Sequence, residues 1–351
     1  MKIAVYGAWH VKNFGDVLLF DLYCQIIREV YPECTIVALE NSDALDDANV
    51  MSNENVTQFT DGMQVLKECN LMVYLGGGYF QEPNVSYLKR FKWGLNIPRK
   101  HIVPALYAKY YDVPIRVIGV GVGPITNPVS NLLVRLLYRA TDKAAVRDLE
   151  SRKFFSNKSR ESVRVIPDLG LYTKEMMGIK SGKKSNKIGV HLYEAPSKDR
   201  RLHEVVRLMK KIKEEESHKI YFVKDKGGQD RRQLRALKEV NNLIEGQIEY
   251  SSPNQFVSDL NCLDTIITNK LHVGIVGVSL GKTVISLPYH SKTRRFYSQI
   301  GRPDLCLDLN NYTSEDIYKL MNQEKSKKSK SQKYQFPSHE DVVESVKRVI
   351  S

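Results

Sequence analysis

One stretch constrains the chain more than any other. Residues 263–268 are an apolar run long enough for one buried strand. Lys270 and His272 then stand two residues apart. Gly274, Gly277, Ser279 and Gly281 follow as a small-residue segment. A second apolar strand, Thr283 to Leu287, ends in Pro288-Tyr289-His290-Ser291-Lys292. Strand, basic loop, small-residue helix, strand and basic loop make one unit of an α/β sheet. In such sheets the loops beyond the strand C-termini line the ligand crevice. Both basic loops follow strands, which points to an anionic ligand held between Lys270, His272 and Lys292.

The rest of the chain repeats this alternation. Ile3–Tyr6, Thr35–Leu39, Leu71–Leu75, Ile115–Val120 and Ala144–Val146 read as strands of a first half. Ile188–Leu192, Ile220–Val223 and Ile248–Tyr250 read as strands of a second. Helical spacing of apolar residues lies between them. The sequence therefore predicts two α/β domains with mostly parallel sheets. Residues 1–175 form the first and 186–351 the second, which carries the Lys270/His272 loop. A polar, glycine-bearing linker spans 174–187. Asp16 is expected to open a helix over Val17–Val30, either as its cap or as a ligand-facing carboxylate. Asn13 and Gly15 before it, Gly76, Gly77 and Gly78 after the Leu71 strand, and Gly123 after the Ile115 strand are expected ligand-loop positions. At each of these, backbone can come close to a ligand. Three glycines in a row also permit no more than a sharp bend. Arg147 reads as a phosphate or carboxylate clamp, or as half of a structural Arg147–Asp148 arrangement. The final helix, Asp341–Ile350, has one apolar face that must pack on one half or the other.

Charge adds a partner class. The 351 residues hold 53 Lys and Arg against 40 Asp and Glu, a net +13. An anionic partner follows: a phosphorylated small molecule, an anionic glycan or an anionic membrane surface. Tyr87, Lys89, Arg90, Phe91, Lys92 and Trp93 interleave aromatic faces with cations as a sugar-binding segment does, and as a packed surface loop also does. Lys325, Lys327, Lys328, Lys330 and Lys333 suit a solvated loop or peripheral contact with an anionic membrane. No nucleic-acid motif accompanies the charge. No metal-ligand spacing or cofactor fingerprint is present. Five scattered cysteines and no apolar run of membrane-spanning length lead to the expectation of a cytoplasmic protein, at most seated on the inner face of a membrane.

Four motifs, in this order and spacing, resemble the polysaccharide pyruvyl transferase family. They are Asn13-Phe-Gly-Asp16, Tyr74-Leu-Gly-Gly-Gly78, Gly119-Val-Gly-Val-Gly-Pro124 with Val146-Arg-Asp148, and Lys270-Leu-His-Val-Gly-Ile-Val-Gly277 with Pro288-Tyr-His-Ser-Lys292. The resemblance implies two Rossmann-like domains facing across a cleft, similar to the GT-B glycosyltransferase-type fold. It implies transfer of the enolpyruvyl group of phosphoenolpyruvate to two hydroxyls of a sugar. The acceptor would be a polysaccharide unit or its lipid-linked precursor. It implies His272 as the acid and Lys270 and Arg147 as donor-binding cations; the reading of the loops themselves adds Lys292 as a donor-binding cation and Asp16 as a candidate hydroxyl-side base. The family carries Arg where this chain has Lys270. A nucleotide-sugar-dependent glycosyltransferase, or a non-catalytic member of a polysaccharide assembly pathway, would use the same scaffold.

Overall fold

The computed structural model describes residues 1–7, 9, 13–39, 45–59, 62–80, 82, 101–155, 163–182, 184–192, 200–215, 218–226, 231–288, 291–308, 311–327 and 334–351. The aromatic and basic residues 87–93, Tyr289, His290 and Lys328, Lys330 and Lys333 lie outside them. The fold is α/β, with two Rossmann-like units, each built on its own parallel sheet.

The first unit comprises residues 1–12, 16–169 and 337–351. Its sheet runs β3(Val56–Phe59), β2(Thr35–Leu39), β1(Lys2–Tyr6), β4(Leu71–Tyr74), β6(Ile115–Val122), β7(Lys143–Val146) and β8(Arg164–Val165). A further strand, β5(Gly77–Phe80), pairs with β6. Gly76 thus stands at a bend after β4, while Gly77 and Gly78 enter the next strand. β1 is buried along its length because helices cover both faces of a parallel sheet, which is why it reads as an unbroken apolar run. Helix α1 spans Phe14–Val30, so it begins two residues before Asp16, which sits inside the first turn instead of opening the helix. A carboxylate there suits the positive end of the helix dipole. Residues 101–110 form helix α2, and Pro128–Ala140 forms α3, capped by Asn127 Oδ1. Asp148 accepts from Ser151 N at 2.7 Å and caps the short helix α4(Leu149–Arg152).

The final helix, here α12(His339–Ile350), belongs to this first unit. Its buried face of Val342, Val343, Val346, Val349 and Ile350 lies against β6 and β7. Lys347 pairs with Glu29 of α1 at 2.8 Å. The division between units falls at 169/170 and 336/337, whereas the sequence placed it at 175 and 186 and gave 351 to the second half. The polar stretch 174–187 has partners in the second unit. Lys174 N donates to Ser279 Oγ, and Ser185 N and Asn186 N donate to Asp264.

The second unit comprises residues 13–15 and 170–336. Its sheet runs β11(Gly246–Glu249), β10(Lys219–Lys224), β9(Lys187–His191), β12(Thr265–Thr268) and β13(Thr283–Ser286), all parallel. The chain builds outward from β9 to β11, then returns to the other side of β9 for β12 and β13. That reversal places a topological switch point between β9 and β12. Helix α9(Leu271–Ser279) connects β12 to β13 and is buried along nearly its whole length. A Cβ on Gly277 would press on Val284 and Ile266, so the small residue lets α9 lie close to the sheet. Helix α10(Ser291–Gln299) follows β13. Helix α11(Ser314–Lys327) includes Glu324, Lys325 and Lys327, which the sequence assigned to a loop. Glu324 is buried there against Arg302 at 2.8 Å.

Candidate functional site

The switch point of the second sheet gathers the ionisable groups. His191 is the last residue of β9, Asp225 follows β10, and Lys270 stands between β12 and α9. His191 and Asp225 are both buried. His191 Nε2 lies 3.0 Å from Asp225 Oδ1, and Lys270 Nζ lies 3.1 Å from Asp225 Oδ2. Burial alone would raise the Asp225 pKa. The Lys270 ammonium and His191 outweigh it and hold the carboxyl far below the usual carboxylate range. Asp225 is therefore charged, and it binds one cation through one oxygen and one imidazole through the other.

This division explains the lysine at 270. An Arg fork presents two parallel N–H groups to both oxygens of a carboxylate. Here Oδ1 is already taken by His191, so a single-point ammonium fits the remaining oxygen.

Lys270 is also the cap residue of α9. Its backbone is extended (φ −104°, ψ 131°) and its N–H donates to Thr268 Oγ1 at 2.9 Å. Capping geometry throws His272 into the first turn of the helix, where backbone N–H groups and the dipole favour an anion. His272 is half-buried and packs directly on Gly15, where a Cβ would overlap the imidazole. The 13–15 segment is tied down in turn. Phe14 N donates to the Asp225 carbonyl at 3.1 Å, and the Phe14 ring sits edge-on to Phe256 at 4.6 Å between centroids. Asn13 is half-buried in the same segment. Lys292 lies half-buried in the first turn of α10, beyond the end of β13. The second unit therefore contains Asn13, Gly15, Lys270, His272 and Lys292 of the expected site.

The first unit contains the others. Asp16 is half-buried in the first turn of α1. Arg147 ends β7 and is buried, with Nη1 3.4 Å from Asp168 Oδ2. Its acidic partner is thus Asp168, not the neighbouring Asp148, which caps α4. Gly121 makes room for this guanidinium, since a Cβ there would meet it. Gly76 and Gly119 do the same for Tyr23 of α1, which is buried over them. Burial and the Asp168 charge push the Tyr23 phenol well up, against the opposing pull of Arg147. Gly77 and Gly78 lie in β5. Gly123 has φ +78°, a backbone conformation that favours glycine, and a Cβ there would crowd the Phe154 ring.

Asp225 and His191 were not named as site residues by the sequence. The available signal was position: each is a polar residue at the C-terminal end of a parallel strand. Among the described residues, no group of three His, Cys, Asp or Glu side chains is placed to hold a metal ion.

The model of the polysaccharide pyruvyl transferase family matches residues 13–291. The chain belongs to this family. The match includes Asn13, Lys270 and His272 and stops one residue short of Lys292. No curated protein matches the sequence. Among solved structures, this family member is similar to the UDP-GlcNAc 2-epimerase of Methanocaldococcus jannaschii. That pair is 13% identical over 92% of each chain, with a TM-score of 0.62. The Neisseria meningitidis UDP-GlcNAc 2-epimerase bound to UDP-GlcNAc is 10% identical, over 99% of this chain and 94% of that one, with a TM-score of 0.59. Anabaena HepE in complex with UDP is 12% identical, over 100% and 95%, with a TM-score of 0.54. At these identities the likeness is one of fold, and it agrees with the expected GT-B-type class of two Rossmann-like units. The family is one of transferases that act on polysaccharides.

Proposed function

We propose that this chain transfers the enolpyruvyl group of phosphoenolpyruvate to two hydroxyls of a sugar, forming a cyclic pyruvate ketal and releasing phosphate. The family supports the reaction class. The observation that carries the site is the placement of Lys270 and His272 together at the head of α9, at the switch point, with Asp225 fixing the lysine. His272 gives a proton to the donor's methylene carbon, which becomes the methyl group, and leaves the adjacent carbon electrophilic. One sugar hydroxyl bonds to that carbon, and the second displaces phosphate from it. Two hydroxyl protons are released. One restores the protonated histidine and the other leaves with the phosphate. Lys270 and Lys292 hold the donor's phosphate and carboxylate as point charges. The resemblance adds Arg147 as a further donor cation, and Asp16, in the first turn of α1, is the candidate base on the hydroxyl side. Asn13, Gly15, Gly76, Gly77, Gly78 and Gly123 have ligand-lining roles in this reading because they follow strand ends, where backbone can approach a ligand.

A second reading has one observation in its favour. The Neisseria epimerase with the same fold binds UDP-GlcNAc, and a helix N-terminus beside Lys270 would also serve a diphosphate. Calorimetric titration of phosphoenolpyruvate and of UDP against wild type and Lys270→Ala separates them. Saturable phosphoenolpyruvate binding lost in the variant, with phosphate release once a sugar acceptor is added, supports the ketal-forming reaction. Binding of UDP alone supports a nucleotide-sugar enzyme. Phosphoenolpyruvate binding without turnover on any acceptor, unchanged by His272→Ala, supports a non-catalytic member of the assembly pathway.

A further inference from the structure

The first unit carries an outward apolar surface that its core does not use. Helices α2 and α3 both belong to crossovers that run in one direction across the sheet, from β4 to β6 and from β6 to β7. Right-handed crossovers in one direction leave their helices side by side on one face of the sheet. Ile102, Ala105 and Ala108 of α2 share one core cluster with Val134, Leu137 and Tyr138 of α3. The opposite faces of these helices should be polar. Instead, α2 exposes Leu106 (60%), Tyr107 and Tyr110 (78%), and α3 exposes Val129, Leu132 (56%) and Leu136. Leu106 and Tyr110 are four residues apart, and Val129, Leu132 and Leu136 are three and four apart. Each set is therefore a single stripe pointing away from the core. Large apolar side chains left exposed in a stripe on each of two helices of one unit are the kind of surface that marks an interaction site.

Charge selects the occupant. Residues 101–111 and 128–140 contain no Asp or Glu; of their cations, Lys109 pairs with Asp142 at 3.6 Å, which leaves the charge of this face to Arg135 and Arg139. Arg135 and Arg139 are exposed beside the α3 stripe. Leucine and tyrosine bordered by arginine, with no carboxylate on either helix, is the composition of a helix face that lies in the headgroup region of an anionic bilayer. A second copy of the chain would set these arginines, and a net +13, against themselves. We infer that the α2–α3 face is a membrane-docking surface that takes an anionic lipid bilayer. It is separate from the lysine-rich segment of the second unit, and it does not depend on the reaction proposed above.

The test is flotation with vesicles of phosphatidylcholine alone and of equal parts phosphatidylcholine and phosphatidylglycerol. Wild type is expected to float with the mixed vesicles and weakly with the neutral ones. The variant Leu106→Ser, Tyr110→Ser, Leu132→Ser, Leu136→Ser is expected to partition on the order of tenfold less at an unchanged melting temperature. Arg135→Glu with Arg139→Glu, at exposed positions, is expected to lose the preference for the anionic lipid. Equal flotation of wild type and both variants would overturn the inference and move the contact to the lysine-rich segment. A wild type that does not float would also overturn it. If that protein is a dimer on gel filtration and the serine variant splits it, the face belongs to a second copy.

Discussion

The His272 imidazole rests on Gly15, so closely that residue 15 has no room for a side-chain carbon. The two residues are 257 positions apart in sequence yet form one contact within the second unit. Gly15→Ala is therefore expected to push the ring out of its place at the head of α9. Displacing a reacting group by about 1 Å costs on the order of 100-fold in rate, while overpacking costs about 1–3 kcal/mol of stability. Turnover should fall with donor affinity largely kept, because Lys270 and Lys292 are untouched. Steady-state kinetics of phosphate release beside a melting curve would check this. Unchanged turnover in the alanine variant would remove His272 from the chemistry or show that its contact with Gly15 does not position it.

Asp225 organises the site through both ends. Its carboxylate binds His191 and Lys270, and its carbonyl accepts from Phe14. Asp225→Asn keeps the shape and removes the charge, leaving a largely buried ammonium opposite an amide. Breaking one side of a buried pair costs about 3–5 kcal/mol. The pH dependence has a definite sign. A carboxyl whose folded pKa is depressed contributes stability that is complete above its ordinary value of 3.8 and is lost as pH falls below it. Urea unfolding of wild type and variant should give a difference that is steady from neutral pH down to about 5 and shrinks in acid. A constant difference at all pH values would mean that the carboxylate charge is not what the site needs.

Replacing Lys270 with the family's arginine is expected to harm this chain. Asp225 Oδ1 is occupied by His191 Nε2 at 3.0 Å, so a guanidinium gains its second bond only by displacing the imidazole. Lys270→Arg should weaken phosphoenolpyruvate binding by roughly tenfold or less, and His191→Ala in the same chain should return part of the loss. Calorimetry on the two variants reads this coupling. An arginine variant that binds the donor more tightly than wild type would contradict the one-oxygen account.

The fold was legible because strand–helix alternation and buried parallel strands leave a pattern of local runs. Lys270, His272 and Gly15 were legible for a related reason: cation, imidazole and glycine each follow or flank such a run. Asp225 was not, since Val223-Lys224-Asp225 looks like any polar strand end until the sheet order places β10 next to β9. The glycines of the first unit were legible as close-approach positions, but not what approaches them. Gly76 and Gly119 receive Tyr23, and Gly121 receives Arg147. The final helix showed its apolar face in sequence, yet only the three-dimensional chain path assigns it to β6 and β7.

Arg147 gives the last expected outcome. Its guanidinium and Asp168 are buried together, 3.4 Å apart, with the guanidinium set against Gly121. Arg147→Met leaves Asp168 charged and without this cation, and stability should fall by about 3–5 kcal/mol. Adding Asp168→Asn removes the stranded charge, so the double variant should recover part of the loss, with a coupling of roughly 0.5–3 kcal/mol. Additive losses would show that the pair does not interact. The double variant also isolates the donor question, because its fold is repaired while its guanidinium is gone. A donor-binding role for Arg147 requires its phosphoenolpyruvate affinity to fall by about tenfold or more, whereas wild-type affinity in the repaired protein would confine Arg147 to the core of the first unit.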